Sequence, residues 1–276
     1  MTRLLKGPLG LPIGGAVLVL VALTWLVSLV GGYDVVADVD VSALNAAPGP
    51  DHWLGTDKLG RDVLWRLITA SESFFGPGLL AATTALVLGV PGGAAAGWLG
   101  GHTAGVIRYL FSVVDALPRF ILVLLACAIY GNSVWLIALV AGVAYAPTLG
   151  EAVYTRIQGF RRAEFVLAAE AHGVHPARTL GFHLLWVNCR HLIGRHAVQL
   201  FAYFLLLETT LSFLGGLENA ASFGVAQPQP SWGNMIAFEW REVGANAWSS
   251  WAPGVALWTV ILAAALVGEG LAERDA

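Results

Sequence analysis

Charge is what this chain has least of. Only 12% of its 276 residues are Asp, Glu, Lys or Arg, about half of the ~25% usual in soluble domains. With 57% hydrophobic residues and a mean hydropathy of +0.70, a water-facing surface cannot be built, and the chain reads as an integral membrane protein. The strict alternation of a transmembrane barrel is also missing. The apolar runs are long, so helices must satisfy the backbone within lipid. Lysine is scarcer still: Lys6 and Lys58 are the only two, preceded by Leu5 and Asp57, so the phosphate-cradling G-x-x-x-x-G-K-[ST] cannot occur. A nucleophile elbow and an H-E-x-x-H helix are absent as well. The chain is therefore expected to hold no cofactor of its own, to hydrolyse no ATP and to do no covalent chemistry. Cys127 falls in an expected span and Cys189 in a loop, so neither a disulfide nor a metal site is expected from them. His172 and His175, three apart, read as solvated loop residues rather than metal ligands.

Uncharged gaps place the spans. Lys6 and Asp34 bracket a first helix at about 11–31, and a second fits about 74–98, ending in the glycine-rich 97–105 turn. Two more fall at about 110–130 and 133–150, a fifth at about 196–215 and a sixth at about 252–270. The expected fold is all-α with six transmembrane helices. It divides into a tail and first helix (1–32), an external segment (33–72) and a five-helix core (73–276) with a cytoplasmic loop at 151–195 and an external loop at 216–251. Arg3 and Lys6 before an apolar run imitate a signal peptide. The run is too long for an h-region and no A-x-A site closes it, so a retained signal-anchor helix is expected.

Orientation follows from the basic residues. With both termini inside, the inner face holds Arg3, Lys6, Arg108, Arg119, Arg156, Arg161, Arg162, Arg178, Arg190, Arg195 and Arg274, against Lys58, Arg61, Arg66 and Arg241 outside. Eleven against four puts residues 151–195 in the cytoplasm by the positive-inside rule. The external face, with Asp34, Asp38, Asp40, Asp51, Asp57 and Asp62, is acidic.

Several stretches carry more than hydrophobicity. Phe165, Ala168, Ala169 and His172 recur at helical spacing, and the two alanines let a partner approach the backbone. Gly173 can end that helix in a left-handed conformation and Pro176 can begin another. The product is a short helix, a sharp turn and a second helix, suited either to docking in a cleft of another protein or to lying on the bilayer surface. In Thr56-Asp57-Lys58-Leu59-Gly60-Arg61-Asp62, Asp57 can pair with Arg61 and Lys58 with Asp62 on an incipient helix, capped by Thr56 or Asp57. That stretch serves either as a structural element beside a gate or as a cargo site. Gly89, Gly93 and Gly97, with Pro91 among them, suit close helix packing or a flexing pore-lining helix. Glu208 stands inside the fifth span, where an ionisable group costs at least ~2.5 kcal/mol; it should face the bundle or pore, as a structural hydrogen-bonding group or a gating one. Trp232, Ile236, Trp240 and Val243 share one helical face, fit for an aromatic belt on a re-entrant or interfacial helix. Glu218, Glu239 and Glu242 are candidate external docking contacts beside it.

The loop resembles the cytoplasmic coupling loop of bacterial ABC importer permeases, with Ala168, Ala169 and Gly173 at the spacing of that motif. The His52–Leu64 stretch, containing Gly55, Thr56, Asp57, Gly60, Arg61 and Asp62, is similar to the H-x-L-G-T-D-x-x-G-R-D-V-L of the dipeptide/oligopeptide/nickel permeases. Leu211-Ser212-Phe213-Leu214-Gly215 and Pro230-Ser231-Trp232-Gly233-Asn234-Met235-Ile236 are similar to that family's L-S-F-L-G and P-S-W-G-x-M-I. The motif order matches the second permease of a pair. Two departures stand out: Leu167 replaces the acidic residue that often opens the loop motif, with Glu164 and Glu170 flanking it, and residues 217–225 form an apparent external insertion.

The resemblance implies a permease subunit of an ATP-driven importer for short peptides, peptide-like solutes, nickel or metal chelates. It implies a homologous permease, two cytoplasmic ATPase subunits that carry the ATP and magnesium, an extracytoplasmic binding protein and the lipid of the bacterial cytoplasmic membrane as partners; nucleic acid is not among them. It further implies that Glu164, Phe165, Ala168, Ala169, Gly173 and Val174 meet an ATPase. A secondary transporter or channel is the rival reading. It would place ionisable residues at several mid-membrane sites, where Glu208 alone qualifies firmly.

Overall fold

A computed structural model of the chain describes residues 9–34, 37–217, 229–240 and 247–274. The expectations for the insertion beyond 217, and for Glu218, Glu242 and Val243, lie outside the described residues. The helices are α1 (Gly10–Gly31), α2 (Val63–Thr69), α3 (Phe75–Leu99), α4 (Gly101–Asp115), α5 (Arg119–Tyr130), α6 (Val134–Phe160), α7 (Glu164–Ala171), the single turn α8 (Pro176–Arg178), α9 (Arg190–Leu217), α10 (Trp232–Glu239) and α11 (Ala247–Glu273). A short 3-10 turn at Ala70–Ser73 joins α2 to α3, and a π-helical stretch at Thr179–Asn188 joins α8 to α9.

Five helices are long and apolar enough to cross a membrane by themselves. In place of the single helix expected at 110–130 stand α4 and α5, bent by 72° between Asp115 and Arg119; together they pass the same test of length and hydropathy, and counted as one span they make the sixth. Pro118 causes the bend: it bars the preceding residue from the helical region and itself takes an extended ψ of 121° as the N-cap of α5. Arg119 then closes the corner on Asp115 at 2.9 Å. Two expected boundaries also move. α6 continues to Phe160 because Val153 and Ile157 keep a buried face past position 150, and α9 starts at Arg190 rather than near 196. The connection between them shrinks to residues 161–189.

α3, α6 and α9 form the centre, with α1 and α11 packed together beside them. The closest pair is α3 with α6. A Cβ on Gly89 would meet the Ala146 carbonyl at 2.6 Å, and one on Gly93 would overlap the Gly150 carbonyl. Gly89 and Gly93 are therefore buried in a helix interface, while Pro91 sits on the exposed side of the same helix. Small residues at that spacing let dispersion contacts accumulate where lipid offers no hydrophobic drive. One apolar cluster, including Phe74, Phe201, Phe204, Trp232 and Met235, fills the end near residues 32–73. Another, including Ala94, Leu149, Ile157, Val166 and Leu184, fills the end that carries residues 161–189.

Candidate functional site

The residues singled out by the sequence gather at the two ends of the bundle. At the end carrying residues 161–189, α7 follows the extended Ala163, with Glu164 in its first turn, where a carboxylate complements the positive end of the helix. Val166 is fully buried against the second apolar cluster and pins the helix to the spans. Its neighbours point the other way: Phe165 is 41% and Leu167 53% exposed, and Ala168 and His172 are exposed with them. The helix then stops sharply. The Gly173 amide donates to the Glu170 carbonyl at 3.0 Å and the Val174 amide to the Ala169 carbonyl at 2.9 Å, the paired bonds of a Schellman ending. Gly173 has φ +72°, and nothing lies within 4 Å of where its Cβ would be. The constraint at 173 is backbone conformation, not space. His175 accepts from the Ala177 amide at 3.3 Å and Pro176 starts α8, so only residues 172–175 separate the two elements. His172 lies 2.7 Å from the Ala168 carbonyl through Nδ1. Both histidines thus serve local caps.

At the other end, residues 55–62 make a tight turn rather than the incipient helix expected there. Asp57, 1% exposed, accepts from Arg61 Nε at 2.7 Å and from Arg66, and also from the Leu59 and Arg61 amides at 2.9 and 3.0 Å. The expected Asp57–Arg61 pair is present. The expected Lys58–Asp62 pair is not: Asp62 caps α2 through the Trp65 amide and bonds His52 at 2.8 Å, while Lys58 donates to the Phe238 carbonyl and lies over that ring. The cap of α2 is accordingly Asp62, not Thr56 or Asp57. Thr56 ties the preceding strand of chain down through the Ala43 carbonyl and the Ala46 amide. Gly55 and Gly60 take φ of +70° and +79° with backbone carbonyls pressed against them. Donation from Ser42 holds the nearby Asp40 carboxyl below its usual range, beside His52. Burial pushes the Tyr33 hydroxyl up to about 12, so that ring stays neutral as it stacks on Trp65. This stretch is a latch made of its own side chains.

The latch continues into the bundle. Ser231 caps α10 and forms a reciprocal capping box with Asn234. Trp232 is buried, tilted on Phe74 at 4.6 Å, with its indole N–H donating to the Leu67 carbonyl at 3.3 Å. Gly233 lets α10 lie backbone to backbone on α9, since a Cβ there would overlap the Thr209 carbonyl. Below this contact Glu208 is fully buried; Ser212 donates to its Oε1 at 2.7 Å, the Ser73, Thr209 and Ser231 side chains lie nearby, and Oε2 has no hydrogen-bond partner among the described residues. Glu208 faces the bundle, as expected of an ionisable group in a span. Trp232 does not belong to an aromatic belt, because it is a core residue; along the same helix only Trp240 is well exposed. Glu239, 1% exposed, is withdrawn from any external docking surface.

Sequence reasoning missed four contributors. Arg66 is the second partner of Asp57, and its signal was an arginine amid the apolar run Val63–Thr69. Val166 is the anchor of α7, on the face opposite the one singled out by spacing. Ser73 and Ser231 come close to Glu208 from segments distant in sequence.

The comparisons with known proteins agree with this geometry. The family described as "Binding-protein-dependent transport system inner membrane component" matches residues 89–274. A dipeptide transport system permease protein of Alkalihalophilus pseudofirmus is 29% identical over 240 residues, covering 87% of this chain and 76% of that protein. A Brucella suis protein provisionally named a peptide permease is 33% identical over 245 residues, with the same two coverages of 87% and 76%. A second Brucella suis protein, provisionally named a peptide transport system permease, is 32% identical over 232 residues, covering 82% of this chain and 73% of its own. The all-α spans, the exposed helix–turn–helix between two of them and this match over most of the chain have one reading: the chain belongs to the inner membrane components of binding-protein-dependent transport systems, the permease subunits of ABC importers.

Proposed function

We propose that this permease imports short peptides, or peptide-like and metal-chelate solutes, across the bacterial cytoplasmic membrane as the second permease of a heteromeric assembly. Two ATPase subunits on the cytoplasmic side hydrolyse ATP, and an extracytoplasmic binding protein delivers the cargo. Both termini and residues 161–189 lie in the cytoplasm, in keeping with the eleven-to-four excess of basic residues on that side. The peptide assignment is supported by the names of the relatives, and nickel enters only through the wider family resemblance.

The observation that carries the coupling role is α7. It is rigidly ended at Gly173 and pinned through Val166, yet it presents Phe165, Leu167 and Ala168 to the outside. An element held from beneath and bare on top transmits a push. When the ATPase pair closes, α7 moves with it, and the rocking of packed bundles alternates access to a path between the two permeases. Glu164 and Val174 flank the contact surface at the two ends of the helix. The latch around Asp57 and the Glu208 cluster hold the outer end in shape during that motion.

Gentle purification of the tagged chain from its native membrane, followed by native mass spectrometry, tests the assembly. A homologous permease, two ATPase subunits and a peptide-sized bound mass are expected. A lone chain or a homodimer, in detergent that preserves a known ABC complex, would overturn the reading.

A further inference from the structure

The segment from α8 to the start of α9 carries a surface that the coupling role does not use. Its buried side is clear: Thr179, Leu184 and Cys189 are buried, and Leu180 and Leu185 pack against the same cluster. Its other side is a row at every fourth residue, Arg178, Phe182, Trp186 and Arg190, all exposed. Phe182 is 53%, Trp186 63% and the adjoining Val187 47% exposed, with no part of the described chain over them.

The order along the row is basic, aromatic, aromatic, basic. Two further observations say what covers it. Arg190 is the first residue of α9, a helix long and apolar enough to span a membrane, so Trp186 and Val187 precede that helix by only a few residues. Tryptophan beside the end of a span partitions favourably to the lipid headgroup level. The charge is also matched, since the cytoplasmic leaflet is anionic and attracts arginine placed beside a span.

We infer that the Arg178–Phe182–Trp186–Arg190 row is a binding surface for anionic phospholipid in the cytoplasmic leaflet, with the rings at the acyl boundary and the guanidinium groups on headgroup phosphates. The arginines give charge-assisted hydrogen bonds to phosphate oxygens. The row makes the bilayer the fixed support against which α7 moves. It rests on the orientation given above, with residues 161–189 on the cytoplasmic side.

The test uses the assembled importer in nanodiscs, either neutral or half phosphatidylglycerol, with a nitroxide on Trp186→Cys; Cys127 and Cys189 are buried. The expected result is strong relaxation by oxygen and weak relaxation by a water-soluble nickel chelate. Relaxation mainly by the chelate, or by neither reagent because a protein subunit covers the site, would overturn the inference. A second nitroxide at Leu167 on α7 separates the two readings. It should be shielded from both reagents while the ATPase is bound, and its exposure there would count against the coupling role alone. Arg178→Gln and Arg190→Gln should each weaken recovery of phosphatidylglycerol with the complex by about fivefold, the ~1 kcal/mol one cation contributes beside an anionic leaflet. Unchanged recovery in the double variant would remove the headgroup contact.

Discussion

Arg61 Nε lies 2.7 Å from the Asp57 carboxylate, and both side chains are withdrawn from solvent. Arg66 reaches the same oxygen from α2. One buried anion therefore joins the turn at residues 55–62 to α2. Removing one partner of such a group strands the other charges, at about 3–5 kcal/mol. Asp57→Asn is expected to lower the melting temperature of the purified complex and to reduce the amount assembled in the membrane. Adding Arg66→Met should recover part of the loss, because fewer unpaired charges remain buried. A melting temperature equal to wild type in Asp57→Asn would mean that the pair does not hold the latch.

Gly233 against Thr209 makes a second, purely steric prediction. Gly233→Ala forces α10 away from α9, with overpacking costs of about 1–3 kcal/mol. Thermal stability should fall while Ser231 still caps its helix. Uptake measured per assembled complex should fall as well, because Trp232 is displaced from Phe74.

Glu208 accepts a hydrogen bond from Ser212 within a fully buried site. Glu208→Gln keeps an acceptor for Ser212 and should retain uptake in membrane vesicles. Glu208→Leu removes the acceptor of the Ser212 bond, and losing such a buried bond costs about 1–3 kcal/mol. Loss of uptake in the glutamine variant, with assembly intact, would show that the charge itself is needed.

Val166 predicts a separable defect. Its side chain is the buried anchor of α7, and burial of a valine is worth about 1.5–3 kcal/mol. Val166→Ser should leave the spans folded and the complex assembled, yet weaken the response of uptake to ATP. Limited proteolysis would detect the loosened α7 by faster cleavage within residues 161–175.

Which of these features the sequence reveals depends on how local they are. Gly173 was legible because a helix ending needs a left-handed residue and glycine adopts it freely. The Asp57–Arg61 pair was legible from its four-residue spacing, although a turn rather than a helix brings the two together. Glu208 was legible because a carboxyl in a span must turn inward. Arg66, Ser73 and Ser231 were not, since they meet their partners only after helices distant in sequence have packed. The bend at Pro118 was hidden because uncharged gaps measure length but not direction. Trp232 was misread for a related reason: a shared helical face says which residues point together, not whether protein or lipid receives them. The face of α7 chosen by spacing was its exposed one, so its anchor, Val166, went unnoticed.

The central claim is that α7, ended rigidly at Gly173, carries the movement of the ATPase into the spans. Gly173→Val and Gly173→Asn test it directly, because nothing in the described chain lies within 4 Å of a Cβ there and the two residues are close in size but differ in their tolerance of positive φ. A branched residue is disfavoured at φ +72° by roughly 1–2 kcal/mol, whereas asparagine tolerates it. Uptake and ATP hydrolysis would be measured together in proteoliposomes holding the complete importer. The account predicts near-normal uptake for Gly173→Asn, and for Gly173→Val continued hydrolysis with uptake reduced by about tenfold. Equal uptake per ATP in wild type and both variants would contradict it.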